Sequence, residues 1–273
     1  MLRFISRDKE HIFEQPIVMG ILNVTPDSFS DGGKFNSTGK ALAHCERMLQ
    51  EGASIIDIGG CSTRPGLDIV TEEEEEERVL PILRAIRKEF PDSILSVDTF
   101  RKGIAERCVG EGVDIVNDIS GGLFDEEMLP FIGEHRIPYV MMHCVGESHT
   151  MHQQQVGGDI HQVVADFFRN QLGKLEGYGE QQIILDPGIG FGKTMEANYA
   201  LLRQLNRYRV NDLPILIGIS RKSLIYRYLN ITPQEAENGT TVLNTVALLG
   251  GADVLRVHDV RRAIEAIRLT GMI

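Results

Sequence analysis

The 273-residue chain carries 28 Lys and Arg against 39 Asp and Glu, a formal net charge of −11, with 42% hydrophobic and 25% charged residues. The size fits one α/β barrel or two smaller domains, and the acidity argues against a general nucleic-acid surface, so any anion must be met by cations gathered locally. No apolar run is long enough for a membrane span, charges interrupt the N-terminal segment where a signal peptide needs an apolar core, and four cysteines without a C-x-x-C pair suit reduced thiols in the cytoplasm.

Residues 1–15 precede the first apolar run and are expected to form a hairpin closing the bottom of a barrel. The run IVMGILN (17–23) reads as a strand that ends on an amide, Asn23, and opens into the polar stretch VTPDSFSDGG. A helix follows over 38–52, with Gly52 as its C-cap. Next come the strand SIIDIGG (54–60), the loop CSTRPG and a helix over 71–90. Thr71 is its N-cap and Glu74 stands at the capping-box position. The glutamates from Glu72 to Glu77 read as a solvated helix start favoured by the helix dipole.

The alternation then continues to the C-terminus. Strands SILSVD (93–98), VDIVND (113–118), IPYVMMH (137–143), QIILDPG (182–188), PILIGIS (214–220) and ADVLRVH (252–258) alternate with helices over 101–111, 124–134, 159–177, 195–207, 220–229, 234–250 and 259–271. Nearly continuous apolar runs of this length predict parallel strands buried on both faces. Eight such βα units without a linker predict a single-domain (β/α)8 barrel over residues 1–273. A doubly wound sheet is the competing architecture, weakened because no strand is followed by a G-x-G-x-x-G fingerprint.

A barrel of this kind carries its site at the carboxyl ends of the strands. Polar residues collect there: Asn23, the CSTRPG loop, Asp98, Asn117, Asp118, His143, Asp186, Ser220, Arg221, Lys222, Arg256 and His258. Asp98, Asn117, Asp186 and Lys222 suit a flat heterocycle, because a carboxylate takes two parallel N–H bonds from a 2-amino-pyrimidinone edge. Asn23, Ser62, Thr63, Arg64, Arg256 and His258 suit a phosphate or diphosphate, with a helix N-terminus near Asp259 aimed at the same place.

The motifs MGILNVTPDSFSDGG, STRPG, DPGIGFGK, GISRKS and LRVHDV, in that order, closely resemble the dihydropteroate synthase family. The resemblance implies a (β/α)8 barrel and a homodimer. It implies condensation of 6-hydroxymethyl-7,8-dihydropterin diphosphate with 4-aminobenzoate to 7,8-dihydropteroate and pyrophosphate, assisted by Mg²⁺, by a dissociative route. By motif matching, Asp98, Asn117, Asp186 and Lys222 hold the pterin, with Met142 packed on its ring. Asn23, Thr63, Arg64, Arg256 and His258 hold the diphosphate, Asn23 also facing the metal, and Phe191, Ser220 and Lys222 border the aminobenzoate. Asp98, Lys222 and Asn23 are the implied catalytic residues, and the loop 24–33 is expected to close over the substrates and exclude water.

Three features depart from the family pattern. Cys61 stands where a Glu is usual, the segment 143–160 keeps little of the usual spacing, and Glu237 and Asn238 stand where an Arg is common before Gly239 and Thr240. Cys61, close in sequence to Arg64, is expected to be the most readily alkylated thiol because nearby positive charge favours thiolate. Two other functions compete: a pterin-binding methyltransferase-type barrel, which needs no anion site, and a non-enzymatic pterin-binding relative.

Overall fold

The computed structural model describes residues 1–25, 34–61, 70–146, 156 and 158–273, with backbone alone for 34–37. An antiparallel hairpin, β1 (Leu2–Ser6) and β2 (Lys9–Phe13), comes first. Eight parallel strands follow: β3 (Ile17–Asn23), β4 (Ile55–Gly59), β5 (Ile94–Asp98), β6 (Ile115–Asp118), β7 (Tyr139–Met142), β8 (Ile183–Asp186), β9 (Leu216–Ile217) and β10 (Val254–Val257). β10 pairs with both β3 and β9, and a parallel bridge from Leu185 to Ile215 joins β8 to the last edge. The sheet therefore closes into the expected barrel. β9 is shorter than the sequence run at both ends; at its start Pro214 has no N–H to donate, though its carbonyl still accepts from Leu185 at 2.8 Å.

The helices lie outside, one after each strand, with two after β9: α1 (Lys34–Glu51), α2 (Glu72–Glu89), α3 (Lys102–Gly110), α4 (Met128–His135), α5 (Ile160–Gly173), α6 (Met195–Arg203), α7 (Ser223–Leu229), α8 (Glu237–Leu249) and α9 (Val260–Thr270). Gly52 ends α1 at φ +105°, a conformation that side chains rarely adopt. Thr71 and Glu74 form the expected capping box on α2. The glutamate run is not wholly solvated, however. Glu75 is buried on the barrel-facing side of the first helical turn, where it pairs with Arg101, while Glu72 and Glu76 pair with Arg107 nearer the surface.

Alternation along the strands sorts side chains into inward and outward sets. The lowest inward layer is apolar. Ile17, Met19, Ile55, Ile94, Ile115, Val140, Ile184, Leu216 and Val254 pack with Leu2 and Phe4 of the hairpin, which closes the bottom as expected. The hairpin is pinned by Asp114. This buried carboxylate accepts from Ser6 Oγ at 2.6 Å, Arg7 Nε at 2.8 Å, Arg87 Nη2 at 2.9 Å and the Leu95 N–H at 2.9 Å.

Asp114→Asn should lower unfolding stability by about 3 kcal/mol, because it leaves the largely buried Arg87 without its countercharge. Urea denaturation monitored by circular dichroism measures this; an unchanged midpoint would remove Asp114 as the anchor of the hairpin.

Candidate active site

Above the apolar floor, the inward positions turn polar. Asp57 lies in the middle of β4, facing Ser96 across the ladder, and one step higher Gly59 pairs with Asp98, which pairs with Asn117. On the opposite wall Met142 pairs with Asp186. Arg256 projects inward from β10 and spans the barrel, its Nε 2.7 Å from Asp57 Oδ2 and its Nη2 2.5 Å from Asp98 Oδ2. Asn117 Nδ2 donates to the same Asp57 oxygen at 3.0 Å. The sequence expectation places Arg256 at the diphosphate; among the described residues its guanidinium pairs with the carboxylates of Asp57 and Asp98.

Asp57 is the residue that the sequence reading missed. It has no exposed surface, and its second oxygen, Oδ1, has no hydrogen-bond partner among the described residues. The signal was present, since period-2 alternation puts Asp57 on the same face as Gly59 and an isolated carboxylate in an apolar strand needs a partner.

Electrostatics follow from this placement. Burial pushes the Asp98 carboxyl up to about 7; Arg256 opposes the rise and Asp57 adds to it. Burial also raises the Asp186 carboxyl, against the pull of Lys222 and of the Gly188 N–H, which donates to Oδ1 at 2.7 Å. Lys222 is pushed down to about 8 by burial, with Asp186 opposing. Its Nζ donates to the Ile189 carbonyl at 2.6 Å and lies 4.6 Å from the centre of the Phe191 ring.

Glycine leaves room between these groups. A Cβ at Gly218 would lie 3.8 Å from Arg256 Cβ and 3.9 Å from Lys222 Nζ. One at Gly59 would lie 3.5 Å from Asp98 Cβ and 3.7 Å from Asn23 Oδ1. Met142 packs beside this space with Phe100, Ile119 and Cys144, and Phe191 and Cys61 border the same cluster. The mouth thus offers an apolar wall and a rim of carboxylate, amide and ammonium, the surroundings of a flat polar heterocycle.

Ser220 and His258 meet at the ends of β9 and β10. Ser220 Oγ accepts the His258 N–H at 3.1 Å and lies 2.9 Å from Nδ1, which fits a hydroxyl donating to an Nε2-protonated ring. Arg221, at φ +55°, holds both carboxylate oxygens of Asp259 at 2.6 and 3.0 Å and so ties the loop carrying Ser220 and Lys222 to the loop carrying His258. Asn23 ends β3 opposite Gly59. Thr63 and Arg64 lie outside the described residues, as do most of the loop 24–33 and of the segment 143–160.

Two rim residues of the sequence reading face away. Asp118 alternates with the inward Asn117 and accepts from Ser120, Gly122 and Tyr139, organising the loop after β6. His143 alternates with Met142 and packs edge-on against Phe167 of α5, where burial pushes its pKa down to about 2. Cys61 is the one cysteine of the four that is not fully buried, while Arg64 lies outside the described residues. Burial and Glu75 raise its pKa and outweigh Arg101. Glu237, where an Arg is common, pairs with Arg262 at 2.8 Å.

A family model described as pterin binding enzyme matches residues 19–258. The dihydropteroate synthase of Synechocystis sp. is 48% identical over 255 residues, covering 92% of this chain and 88% of that protein. The chain belongs to the dihydropteroate synthase family. Its relative in Escherichia coli K12 is 41% identical over 256 residues, covering 93% of this chain and 90% of that one. Among solved structures, the Yersinia pestis dihydropteroate synthase in a sulfonamide drug complex matches with a TM-score of 0.90 and 38% identity, over 99% of this chain and 98% of that one. The Xanthomonas albilineans dihydropteroate synthase with 4-aminobenzoic acid gives 0.90 and 34%, over 99% and 97%.

The Asp57–Arg256–Asp98 arrangement predicts a pH effect. Asp98 is ionised above about 7, so activity that needs its carboxylate falls as pH drops through that value. Asp57→Asn removes one upward influence and frees the guanidinium for Asp98. The acid limb of kcat/KM for the pterin diphosphate should therefore move to lower pH; a limb that stays or moves up would contradict the network.

Proposed function

We propose that this family member condenses 6-hydroxymethyl-7,8-dihydropterin diphosphate with 4-aminobenzoate. The C–N bond forms at the pterin methylene, and the C–O bond to the diphosphate breaks. The observation that carries this reading is the gathering of Asp98, Asn117, Asp186 and Lys222 at the carboxyl ends of the strands, beside Met142 and next to the Ser220–His258 pair.

In this reading the pterin lies flat against Met142. Asp186 accepts the two N–H groups of its amino-pyrimidinone edge, Asn117 and Lys222 meet the remaining donors and acceptors, and Arg256 holds Asp98 at the ring. An aromatic amine is neutral near pH 7, so the nucleophile needs no strong base. The demanding event is departure of the diphosphate, and the Asp98 carboxylate stabilises positive charge developing on the pterin as it leaves. His258 and Asn23 face the diphosphate, Thr63 and Arg64 are assigned to it as well, and Phe191, Ser220 and Lys222 border the aminobenzoate.

Mg²⁺ fits this donor set. Among the described residues no group of three His, Cys, Asp or Glu side chains is arranged to hold a metal, and Mg²⁺ commonly takes few protein ligands beside substrate phosphates. Asn23 would supply a neutral oxygen, and the ion would neutralise charge on the departing diphosphate. The loop 24–33 is assigned to closure over the substrates.

We also propose a homodimer. Val242, Val246 and Leu249 are exposed along one face of α8, and Tyr228 and Leu229 are exposed at the end of α7, a combined apolar surface suited to a second copy of the same face. No helix among the described residues is long and apolar enough to cross a membrane, and the free cysteines suit a reducing, cytoplasmic setting. Val246→Glu should convert a dimer to monomer in analytical ultracentrifugation; a wild-type monomer at micromolar concentration would end this proposal.

The test of function is pyrophosphate release and dihydropteroate formation that require both substrates and Mg²⁺. Folded protein that forms neither would end the enzymatic reading. Asp186→Asn places an amide against two N–H donors, and the mispaired buried group should weaken pterin binding by about 1–3 kcal/mol. Calorimetry showing unchanged affinity would remove Asp186 from the pocket.

A further inference from the structure

Lys193 is about nine-tenths buried and has no carboxylate within ion-pair distance among the described residues. Its ammonium instead donates to three backbone carbonyls: His143 at 3.2 Å, Gly188 at 2.9 Å and Phe191 at 3.0 Å. Three donors meet three acceptors, the full capacity of an ammonium. His143 follows β7, whereas Gly188 and Phe191 belong to the loop between β8 and α6.

That loop cannot rest on side-chain packing at its start. Gly188 sits at φ +66° with the His143 carbonyl 1.9 Å from where a Cβ would be, so backbone lies directly on backbone. Carbonyl dipoles brought together this way repel one another and, away from water, need donors. Lys193 supplies them. Asn198 adds a second tether by accepting the Gly190 N–H at 2.7 Å. The loop so held presents the Ile189 carbonyl to Lys222 Nζ at 2.6 Å and the Phe191 ring 4.6 Å from the same ammonium.

We propose that Lys193 is a positioning residue for the aminobenzoate half of the site, setting through these three carbonyls the loop that carries Phe191. It touches no substrate itself. Its burial lowers the ammonium to about 7, with Asp186 and Cys144 opposing and Lys222 adding to the fall, which marks the strain of keeping a charge here and the need for all three acceptors. The assignment of the half-site rests on the proposed function; the clamp itself does not.

The test is Lys193→Met, which keeps the length of the side chain and removes every donor. The KM for 4-aminobenzoate should rise by at least about tenfold as the loop carrying Phe191 loses its three ties. The Kd for a pterin lacking phosphates, read by calorimetry, should stay within about threefold. Equal losses for both ligands, or an unchanged KM, would overturn the proposal. Should the variant not fold, ¹⁵N-lysine NMR of the wild-type protein at pH 6 decides. A slowly exchanging ammonium signal that persists in Lys222→Met is expected, and solvent-rate exchange at every lysine would overturn the clamp. Wild-type protein that shows this signal but makes no dihydropteroate would sink the enzymatic reading and leave the clamp standing, so the two failures are distinguishable.

Discussion

A guanidinium inside a barrel is tolerable only beside carboxylates that remain with it. Arg256 meets that condition by bridging Asp57 and Asp98 across the mouth. The bridge fixes which way Asp98 points, and through the shared Asp57 oxygen it also fixes the Asn117 amide. Two of the four groups assigned to the heterocycle are thus oriented by one buried ion cluster before any ligand arrives. On the far wall the other two are held by backbone: the Gly188 N–H donates to Asp186, and the Ile189 carbonyl accepts from Lys222. Arg256 and Lys222 stand among the carboxylates of Asp57, Asp98 and Asp186, which is how an acidic chain gathers cations at its mouth.

The layers of the barrel divide the work between stability and chemistry. The apolar floor and the hairpin beneath it exclude water from below. The polar layer above leaves its central space to glycine, so that a ring can lie among charges already desolvated by the fold. Those charges act more strongly there than in water, and they need no reorganisation at the moment of reaction. The buried pairs add little net stability, since desolvation offsets much of their attraction; their contribution is geometric.

Most of this was legible in the sequence because parallel strands are read by runs and their ends by polarity. All eight barrel strands fall within the predicted runs, and Asp98, Asn117, Asp186, Lys222 and His258 gather at one end as expected from their positions after those runs. Asp57 was passed over because a single carboxylate inside an apolar strand reads as an interruption, and its partner lies 199 residues away in Arg256. Asp118 and His143 were placed at the rim for the opposite reason: one ends a strand and the other follows one, but alternation turns them outward. Glu75 looked like one more solvated glutamate until the helix direction put it against Gly60 and Arg101. Cys61 was judged from its sequence neighbour Arg64, while burial first and then Glu75, a neighbour only in space, push its thiol up.

The claim on which the account rests is that Asp57 and Arg256 act on the pterin as one unit. A double-mutant cycle with Asp57→Asn and Arg256→Met, read as the calorimetric affinity for a pterin lacking phosphates, measures this most directly. The account predicts strong non-additivity, with the double variant binding no more weakly than the weaker single variant and a coupling energy above about 1 kcal/mol. Losses that add to within about 0.5 kcal/mol would show that the two residues act independently and would contradict it.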